Sequence, residues 1–254
     1  LSAFLISGLV GNVGSVQAQQ LEEVVVTAQK RMESVQDVPI SMSAVTADSM
    51  ANSGIRTAED LSLAVPGVNM SRQSSATLIY IRGIGTGGGQ AGQEAAVATF
   101  VDGVYLPSMT GSTLSFNNIA QMEVLKGPQG TLFGRNATGG AVNVVTSTPQ
   151  VEPAFKAEVS VGNYDTTEGN LYATGGSGSV AADIALYYSD QNEGFGENLF
   201  SGKDVSTRKD QAARSKLYWE ASDATTVTLA GDYSRTDGSQ SISLRPLPGT
   251  TSII

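Results

Sequence analysis

The stretch VLKGPQGTLFGRNATGGAVNVVT, residues Val124–Thr146, combines a glycine-rich segment, two basic residues and a terminal apolar run. A phosphate-binding loop of the Walker type needs Gly, about four other residues and then Gly-Lys-Ser/Thr, so that backbone N–H groups and a lysine converge on one anion. A dinucleotide-binding loop needs G-x-G-x-x-G between a strand and a helix. The glycine intervals here fit neither pattern. A nucleotide site is therefore disfavoured, and the run AVNVV is predicted to form a strand.

The composition removes several classes of function. The chain has 254 residues, a formal net charge of −9, and neither cysteine nor histidine. An acidic chain without a basic stripe is a poor match for nucleic acid, because it cannot displace phosphate counterions. Metal sites built from Cys or His, thiol catalysis and imidazole-based triads are excluded, although Asp/Glu metal sites stay open. Most enzyme classes that transfer a proton near pH 7 are therefore disfavoured, and we expect no enzyme, cofactor or metal.

Residues 1–18 have the pattern of an export signal. An apolar run is followed by Val16-Gln17-Ala18, which is typical of a signal-peptide core with a small-residue cleavage site after Ala18. The alternative is a short membrane anchor, but the run is shorter than the ~20 residues of a spanning helix. Because the chain starts without Met or a charged segment, we expect a signal-peptide remnant in a fragment of an exported protein.

Residues 19–37 are predicted to form a flexible leader. They contain one β-prone run, Val24-Val25-Val26-Thr27, among polar and charged residues. Such a segment cannot bury enough apolar surface to fold alone, so we expect it to be mobile in the periplasm. A strand-former of this kind can also add to the edge of another protein's sheet. The residues alone leave open whether it does so or is a plain leader.

Residues 38–149 show a mixed α+β pattern. The alternation over 38–45 predicts a strand, and Thr46 is a suitable N-cap for the short helix that follows. Residues 57–60, Thr-Ala-Glu-Asp, resemble a capping box for a second helix, which ends at Pro66-Gly67. Its predicted apolar face consists of Leu61, Ala64 and Val65.

Further short strands are predicted at 78–82, 98–101 and 141–145. Asp102-Gly103 supplies a tight hairpin turn between Thr99-Phe100-Val101 and Val104-Tyr105-Leu106. The glycine-rich residues 83–93 are predicted to form an exposed loop.

From Ala154 onward the hydrophobic period is two. Five strand candidates follow one another, with short turns at one end and longer loops, such as 190–212, at the other. The aromatic residues Tyr187, Tyr188, Tyr218, Trp219 and Tyr233 are candidates for interfacial girdles. A soluble β-sandwich is the alternative. Five strands cannot close a membrane barrel, since open edges in lipid are costly, so we expect most of the barrel to be missing.

Four segments resemble one known family, the TonB-dependent outer-membrane transporters. LEEVVVTAQKR (21–31) is similar to their TonB box, and IRGIG (81–85), TFVDGVYL (99–106) and IAQMEVLKGPQGTLFGRNATGGAVNVVT (119–146) resemble successive parts of their plug domain. The match runs from Leu21 to about Thr148, in the family's order. The residues EEVVVTAQKR and IRGIGT resemble those of the branch labelled ferric-siderophore receptors. Members of that branch are also assigned other nutrients.

The resemblance implies an architecture and a function. We expect an α+β plug (38–149) followed by the first antiparallel strands (150–254) of a roughly 22-stranded transmembrane β-barrel. The family's activity is TonB-dependent transport of a scarce nutrient across the bacterial outer membrane, here an iron–siderophore complex. Alternatives are carbohydrate, cobalamin or another nutrient, or a plug-containing signalling or adhesion receptor. The implied partners are TonB with its inner-membrane energising partners, outer-membrane lipid and a small ligand, and the chain would be a monomer whose plug and box face the periplasm.

The resemblance also assigns roles to residues. The TonB-binding box comprises Glu22, Glu23, Val24, Val25, Val26, Thr27 and Ala28. Basic plug residues of an ionic lock with acidic barrel residues are Arg82 and Lys126, where Lys126 departs from the arginine often found there and cannot form a planar bidentate pair. Turn glycines of the plug are Gly127, Gly130, Gly134, Gly139 and Gly140. Ligand contacts would come from the apical loops 83–93 and 107–116, with candidates Gln90, Gln93, Met109 and Phe116.

Overall fold

The computed structural model describes residues 24–27, 33–55, 60–73, 76–86, 94–106, 118–198 and 201–239. Among these residues, the N-terminal half has ten short strands and three short helices. In chain order they are β1 Val25–Val26, β2 Glu33–Ser34, β3 Met42–Thr46, α1 Ala47–Asn52, α2 Leu61–Ala64, β4 Val68–Gln73, β5 Ala76–Ile81, β6 Ile84–Gly85, β7 Val97–Val101, β8 Val104–Leu106, β9 Ile119–Lys126, α3 Gly130–Phe133 and β10 Gly140–Thr146.

The C-terminal half consists of long strands. They are β11 Ala154–Gly162, β12 Thr166–Ser177, β13 Val180–Gln191, β14 Gly196–Asn198, β15 Lys203–Val205, β16 Arg208–Ser222 and β17 Thr225–Asp237. Within the described residues, no helix is both long and apolar enough to cross a membrane.

The predicted plug is built around a mixed five-stranded sheet with the order β3-β9-β10-β7-β8. The β10–β7 pair is parallel, and the other neighbours are antiparallel. One face of the sheet packs against α1, α2 and the β4-β5-β6 sheet, through residues such as Leu61, Met122 and Val142. The other face has a separate apolar cluster around Phe100, Leu125 and Ala141. Both faces are thus covered, which explains why β10 reads as an almost continuous apolar run.

Several local predictions are confirmed. Thr46 caps α1, because its Oγ1 accepts a hydrogen bond from Ser49 N at 3.3 Å. Asp102 and Gly103 both have positive φ, 48° and 80°, as a type I′ hairpin turn between β7 and β8 requires. The predicted strands at 78–82, 98–101 and 141–145 correspond to β5, β7 and β10.

Other local predictions are wrong or lie outside the described residues. The strand predicted over 38–45 begins only at Met42, and residues 84–85 of the predicted loop form β6, paired with β5. Three residues of the predicted capping box, 57–59, are outside the described chain, and Asp60 makes no side-chain cap. The apolar face of α2 is narrower than predicted because Ala64 is exposed.

The five predicted barrel strands are confirmed as β11, β12, β13, β16 and β17, which pair antiparallel in chain order. They contain nine to fifteen residues, which is enough for a tilted strand to cross a bilayer. Two-residue turns, at 178–179 and 223–224, join strands at one end. At the other end the predicted long loop is shorter than 190–212. β13 continues to Gln191, β16 begins at Arg208, and the β14–β15 hairpin lies between them.

In this sheet the apolar side chains are exposed and the polar side chains are buried, which is the opposite of a soluble sandwich. On β13, Ile184 is 43% exposed, whereas its neighbour Asp183 is 4% exposed, and on β16 Leu217 is 41% exposed beside Lys216 at 5%. Large apolar residues on the outer face are Phe155, Val159, Val161, Val180, Ile184, Leu186, Leu217 and Leu229. Apolar side chains outward and polar side chains inward are the membrane-barrel pattern, so the sandwich alternative is wrong.

The aromatic residues divide between the two faces. Tyr188, Trp219 and Tyr233 are exposed on the apolar outer face, as the girdle prediction requires. Tyr187, in contrast, packs inside against Tyr172, Ala185 and Ala212, and Tyr218 lies opposite the buried Ala181 on the inner face. The girdle prediction is therefore wrong for Tyr187 and Tyr218, since sequence period alone does not tell which face meets lipid.

Candidate functional site

The central part of the predicted TonB box is docked on the plug. Val25 and Val26 form β1, which pairs antiparallel with β2, and Val35 N donates to Val24 O at 2.9 Å. The expected flexible leader is thus fixed from Val24 to Thr27. Glu22, Glu23 and Ala28, the other predicted box residues, lie outside the described chain.

Val26 anchors the docked strand. Its side chain is fully buried in the apolar cluster that includes Val38, Ala98, Phe100 and Leu125. Complete burial of a valine side chain contributes about 2 kcal/mol. The alternation of the leader explains the arrangement: Val26 points into the plug while Val25 is 48% exposed.

Thr27 is held by a buried carboxylate, that of Glu123 on β9. Thr27 N donates to Glu123 Oε1 at 2.7 Å, and Thr27 Oγ1 donates to the same oxygen at 3.1 Å. Gln121 Nε2 donates to Oε1 at 2.9 Å, and Asn143 Nδ2 donates to Oε2 at 2.9 Å. Glu123 is fully buried, so these donors replace the water that the charged group has lost.

Sequence reasoning missed Glu123 and its neighbours. A signal was present, because Glu123 interrupts the apolar run MEVL and Asn143 interrupts AVNVV. Lone polar residues inside buried strands need partners. Their common location was not readable from the sequence: Asn143 is directly opposite Glu123 in the β9–β10 register, which places both side chains on one face.

The predicted turn glycines differ in how strictly their positions require glycine. Gly140 has φ of 143°, and a Cβ there would lie 2.2 Å from Leu125 O, so no other residue fits without backbone movement. Gly134 ends α3 with φ of 75°, and Gly127 also has positive φ. Gly139 is packed closely against Ile84, whereas Gly130 begins α3 with open space around it.

The two predicted lock residues lie at one edge of the plug. Arg82 Nη2 donates to Ser41 Oγ at 2.7 Å, and Lys126 N donates to Ser41 O at 2.8 Å. Burial, and then the nearby charge of Arg82, lower the pKa of Lys126 below its ordinary value. In the part of the chain that the structure describes, neither residue has an acidic partner. The two cations are therefore uncompensated there.

A different ion pair connects the plug to the barrel strands. Arg214 Nη2, on β16, donates to Asp102 Oδ2 in the β7–β8 turn at 2.8 Å, and Lys216 Nζ lies 3.7 Å from the same oxygen. The side chains of Arg214 and Lys216 are 5% and 6% exposed. Here the acid belongs to the plug and the bases to the barrel, which is the reverse of the polarity expected for Arg82 and Lys126.

Thr146, at the end of β10, completes this contact. Its N and Oγ1 donate to the two carboxylate oxygens of Asp102 at 2.8 and 2.7 Å. Lys216 Nζ donates to Thr146 Oγ1 at 2.7 Å, and Lys216 N donates to Asp183 Oδ1 at 2.7 Å. The cluster thus joins two acids and two bases, of which Asp183, Arg214 and Lys216 are buried and Asp102 is partly exposed. We refer to Asp102, Thr146, Asp183, Arg214 and Lys216 as the plug–barrel cluster.

The predicted ligand contacts, Gln90, Gln93, Met109 and Phe116, lie outside the described residues. At the long-loop end of the barrel strands, an open cleft of about 250 Å³ is lined by residues that include Asp190, Arg208, Lys209 and Asp237. Among the described residues, no group of Asp and Glu side chains is arranged to hold a metal ion.

Comparison with known proteins agrees with this architecture. Residues 34–141 match the sequence profile of the TonB-dependent Receptor Plug Domain. The pesticin receptor of Yersinia pestis is 29% identical over 167 residues, which cover 64% of this chain and 24% of that receptor. The vitamin B12 transporter BtuB of Vibrio vulnificus (strain CMCP6) is 26% identical over 244 residues, which cover 86% of this chain and 39% of that transporter. This chain thus spans well under half the length of either relative.

A solved structure shows the same fold. The crystal structure of the ferric yersiniabactin uptake receptor FyuA from Yersinia pestis matches with a TM-score of 0.68 and 25% identity, covering 78% of this chain and 32% of that one. This chain therefore contains a plug domain of the TonB-dependent receptors over residues 34–141, and its fold, including the strands that follow, is similar to that of the solved receptor.

Proposed function

We propose that the complete protein carries a scarce nutrient across the outer membrane in a TonB-dependent manner, with the plug closing the barrel between transport events. One observation carries this proposal. A chain of contacts runs from Thr27 of the box, through Glu123 and the five-stranded plug sheet, to Asp102 and the barrel residue Arg214. The polypeptide chain also joins the box directly to β3, an outer strand of this sheet, so a force on the box reaches the sheet even when Thr27 has left Glu123.

TonB is the proposed source of that force. The box, Glu22 to Ala28, would add as a strand to TonB's sheet in the periplasm, where backbone hydrogen bonds supply the affinity. If about five such bonds form, each contributing a net ~0.5–1.5 kcal/mol, the contact is worth a few kcal/mol after the cost of ordering is subtracted. An interaction of this strength can be released in every cycle.

Arg82 and Lys126 are the proposed plug side of an ionic lock. Their shared contact with Ser41 and the lowered pKa of Lys126 support this role, because two neighbouring cations that meet no acid among the described residues gain from acidic partners. We propose that barrel strands beyond those described supply the acids. Lys126 would form a single contact in the lock, since an ammonium group cannot make the bidentate pair of an arginine.

The proposed cargo is an iron–siderophore complex. The names of two matching proteins, the pesticin receptor and the ferric yersiniabactin uptake receptor, support the siderophore-receptor branch. Gln90, Gln93, Met109 and Phe116 are the proposed plug contacts. Cobalamin is the second candidate, because the vitamin B12 transporter matches over a larger share of this chain.

The test is accumulation of labelled ferric siderophores, and in parallel of labelled cobalamin, by cells that express the full-length gene with or without residues Glu22–Ala28. We expect energy-dependent uptake of a ferric siderophore that is lost with the box. Uptake of cobalamin alone would show that cobalamin is the cargo and would leave the proposed mechanism unchanged. If the protein is confirmed in the outer membrane and neither compound accumulates, another nutrient or a signalling or adhesion role replaces the proposal.

A further inference from the structure

The first edge of the docked box strand is occupied by β2. Val24 O accepts a hydrogen bond from Val35 N, and Val26 pairs with Glu33. Successive residues of an extended strand direct their backbone groups to opposite sides, so Val24 and Val26 share this edge.

The second edge is occupied by side chains of β9. Val25 O accepts from Gln121 Nε2 at 3.2 Å, and Thr27 N donates to Glu123 Oε1 at 2.7 Å. Strand addition needs an edge whose backbone groups are free. From Val24 to Thr27, the docked strand therefore offers no edge to a partner's sheet.

Glu123 is the centre of the second edge. Its contacts in the described chain are neutral donors, and Thr27 supplies two of them, the backbone N–H and the hydroxyl. The carboxylate is fully buried, so it depends on every one of these donors. Because no cation neutralises it there, the departure of Thr27 leaves a charge that water can solvate as the site opens.

We propose that Glu123 is a positioning residue that clasps the box, keeping it closed to a partner until Thr27 is released. This inference rests on the proposed function, in which TonB binds Glu22–Ala28. It adds that the same backbone groups of Val25 and Thr27 serve Gln121 and Glu123 in one state and TonB's sheet in the other, so the two states exclude each other.

The substitution Glu123→Gln separates the clasp from packing. Glutamine has the shape of glutamate, but its amide NH₂ donates where the carboxylate oxygen accepted. Thr27 N, Gln121 Nε2 and Asn143 Nδ2 are all donors, and Asn143 can turn its Oδ1 to the new NH₂. The glutamine oxygen then still faces Thr27, but as a neutral acceptor it binds about half as strongly as the carboxylate. Glu152→Gln makes the same change at an exposed acid between the plug and β11, and it is the matched control.

Residues 1–254 contain no cysteine, so a single thiol can be introduced here once any cysteine of the remaining chain has been replaced by serine. In outer-membrane vesicles that contain the full-length receptor and lack TonB, Val26→Cys would be buried in the docked state and protected from a maleimide. We expect Glu123→Gln to increase its labelling rate at least tenfold, and Glu152→Gln to leave it unchanged. Val25→Cys, at an exposed position, should react at the same rate in all three backgrounds.

A second measurement needs no cysteine. Hydrogen exchange at the Thr27 amide should accelerate at least tenfold in Glu123→Gln, because this N–H donates to the carboxylate. Equal exchange in Glu123→Gln and wild type would overturn the clasp, whatever the thiol variant does.

A double-mutant cycle distinguishes a clasp from a general loosening of the plug. Thr27→Val keeps the N–H and the shape but removes the hydroxyl, so it should accelerate exchange of residues 24–27 about threefold. Combined with Glu123→Gln it should add little, within about twofold, because both changes remove one interaction. Effects that multiply independently would contradict the proposal.

Binding of the TonB C-terminal domain separates this inference from the proposed function. Tighter binding to Glu123→Gln together with faster exchange supports both. Normal TonB binding with unchanged exchange overturns the clasp and leaves the proposed function. Faster exchange without TonB binding in any variant supports the clasp and overturns the assigned partner.

Discussion

Two carboxylates of the plug sheet, Glu123 and Asp102, hold neighbouring parts of the molecule with different chemistry. Glu123 is fully buried and binds the backbone amide of Thr27 and neutral side chains. Asp102 binds the guanidinium of Arg214 at 2.8 Å, with the ammonium of Lys216 3.7 Å away. The first contact holds a short strand to the plug, and the second holds the plug to the barrel strands.

The difference predicts which contact separates more easily. Removing the box from Glu123 exposes one carboxylate to water that enters with the departing strand. Separating Asp102 from Arg214 and Lys216 breaks an attraction between opposite charges, which the Glu123 contact lacks among the described residues. The contact with neutral donors suits a segment that is released and rebound, and the ion pair suits an attachment that persists.

The largest expected effect is that of Asp102→Ala. This change leaves Arg214 and Lys216 buried without Asp102. We expect it to remove about 3 kcal/mol from the free energy that holds the plug to the barrel. The loss is limited because Asp183 still lies near Lys216. Urea titration of the full-length protein, followed by hydrogen exchange in β7 and β8, measures it. Asp237→Ala, in the exposed pair with Arg235, should leave the urea midpoint nearly unchanged. Equal effects of the two variants would contradict the comparison.

A substitution in β10 should weaken both contacts. Asn143 of this strand donates to Glu123, and Thr146 donates to Asp102. Gly140→Ala places a Cβ 2.2 Å from Leu125 O at a φ that alanine avoids, so we expect about 1–3 kcal/mol of destabilisation. Hydrogen exchange should accelerate in both the box and the β7–β8 hairpin. Gly130→Ala, where space is open, is the control, and an unaltered pattern in Gly140→Ala would refute the assignment.

Val26→Ala should weaken only the box contact. The side chain is fully buried, and its truncation should cost about 1–2 kcal/mol of docking free energy. We expect faster exchange of residues 24–27 and unchanged exchange in β7 and β8. Val25→Ala, at the exposed neighbour, is the matched control. Equal acceleration in both regions would show that the two contacts are not separate.

The smallest expected effect concerns the sign of a pH dependence at Lys126. Burial and the charge of Arg82 lower the pKa of Lys126 in the described chain. The folded state therefore binds this proton more weakly than the unfolded state. As a result, stability rises with pH between the lowered pKa and the ordinary value of 10.5. Acidic lock partners would raise the pKa and reverse this sign, so that stability is lost as pH rises through the raised value. Comparing urea midpoints of full-length wild type and Lys126→Gln at about pH 9 and 11, on either side of 10.5, measures the sign. The proposed lock requires the reversed sign, and a rise would contradict it.

The barrel strands were predictable because each carries its own period-two pattern. The alternation of Val180 to Tyr188 is local, and so are the Thr46 cap and the Asp102-Gly103 turn. β9 was not predicted as a strand, because IAQMEVLK contains good helix formers and acquires its conformation from β3 and β10 on either side.

The site was less predictable than the fold because its contacts are distant in sequence. Thr27 and Glu123 are 96 residues apart, and Asp102 and Arg214 are 112 apart. Resemblance to a family gave the box and the lock residues, but a flexible leader was expected because its few apolar residues cannot fold alone. The plug supplies the missing surface for Val26, and that surface is assembled from several separate segments.

The most direct test of TonB-driven transport changes one backbone group of the box. Val25→Pro removes an N–H and fixes φ, which prevents strand addition, whereas Val25→Ala keeps both the N–H and the freedom of φ. Uptake and surface binding of a labelled ferric siderophore are measured in the same cells expressing each full-length variant. We predict that Val25→Pro binds the ligand normally and accumulates none of it, while Val25→Ala transports it. Normal accumulation by Val25→Pro would contradict the account.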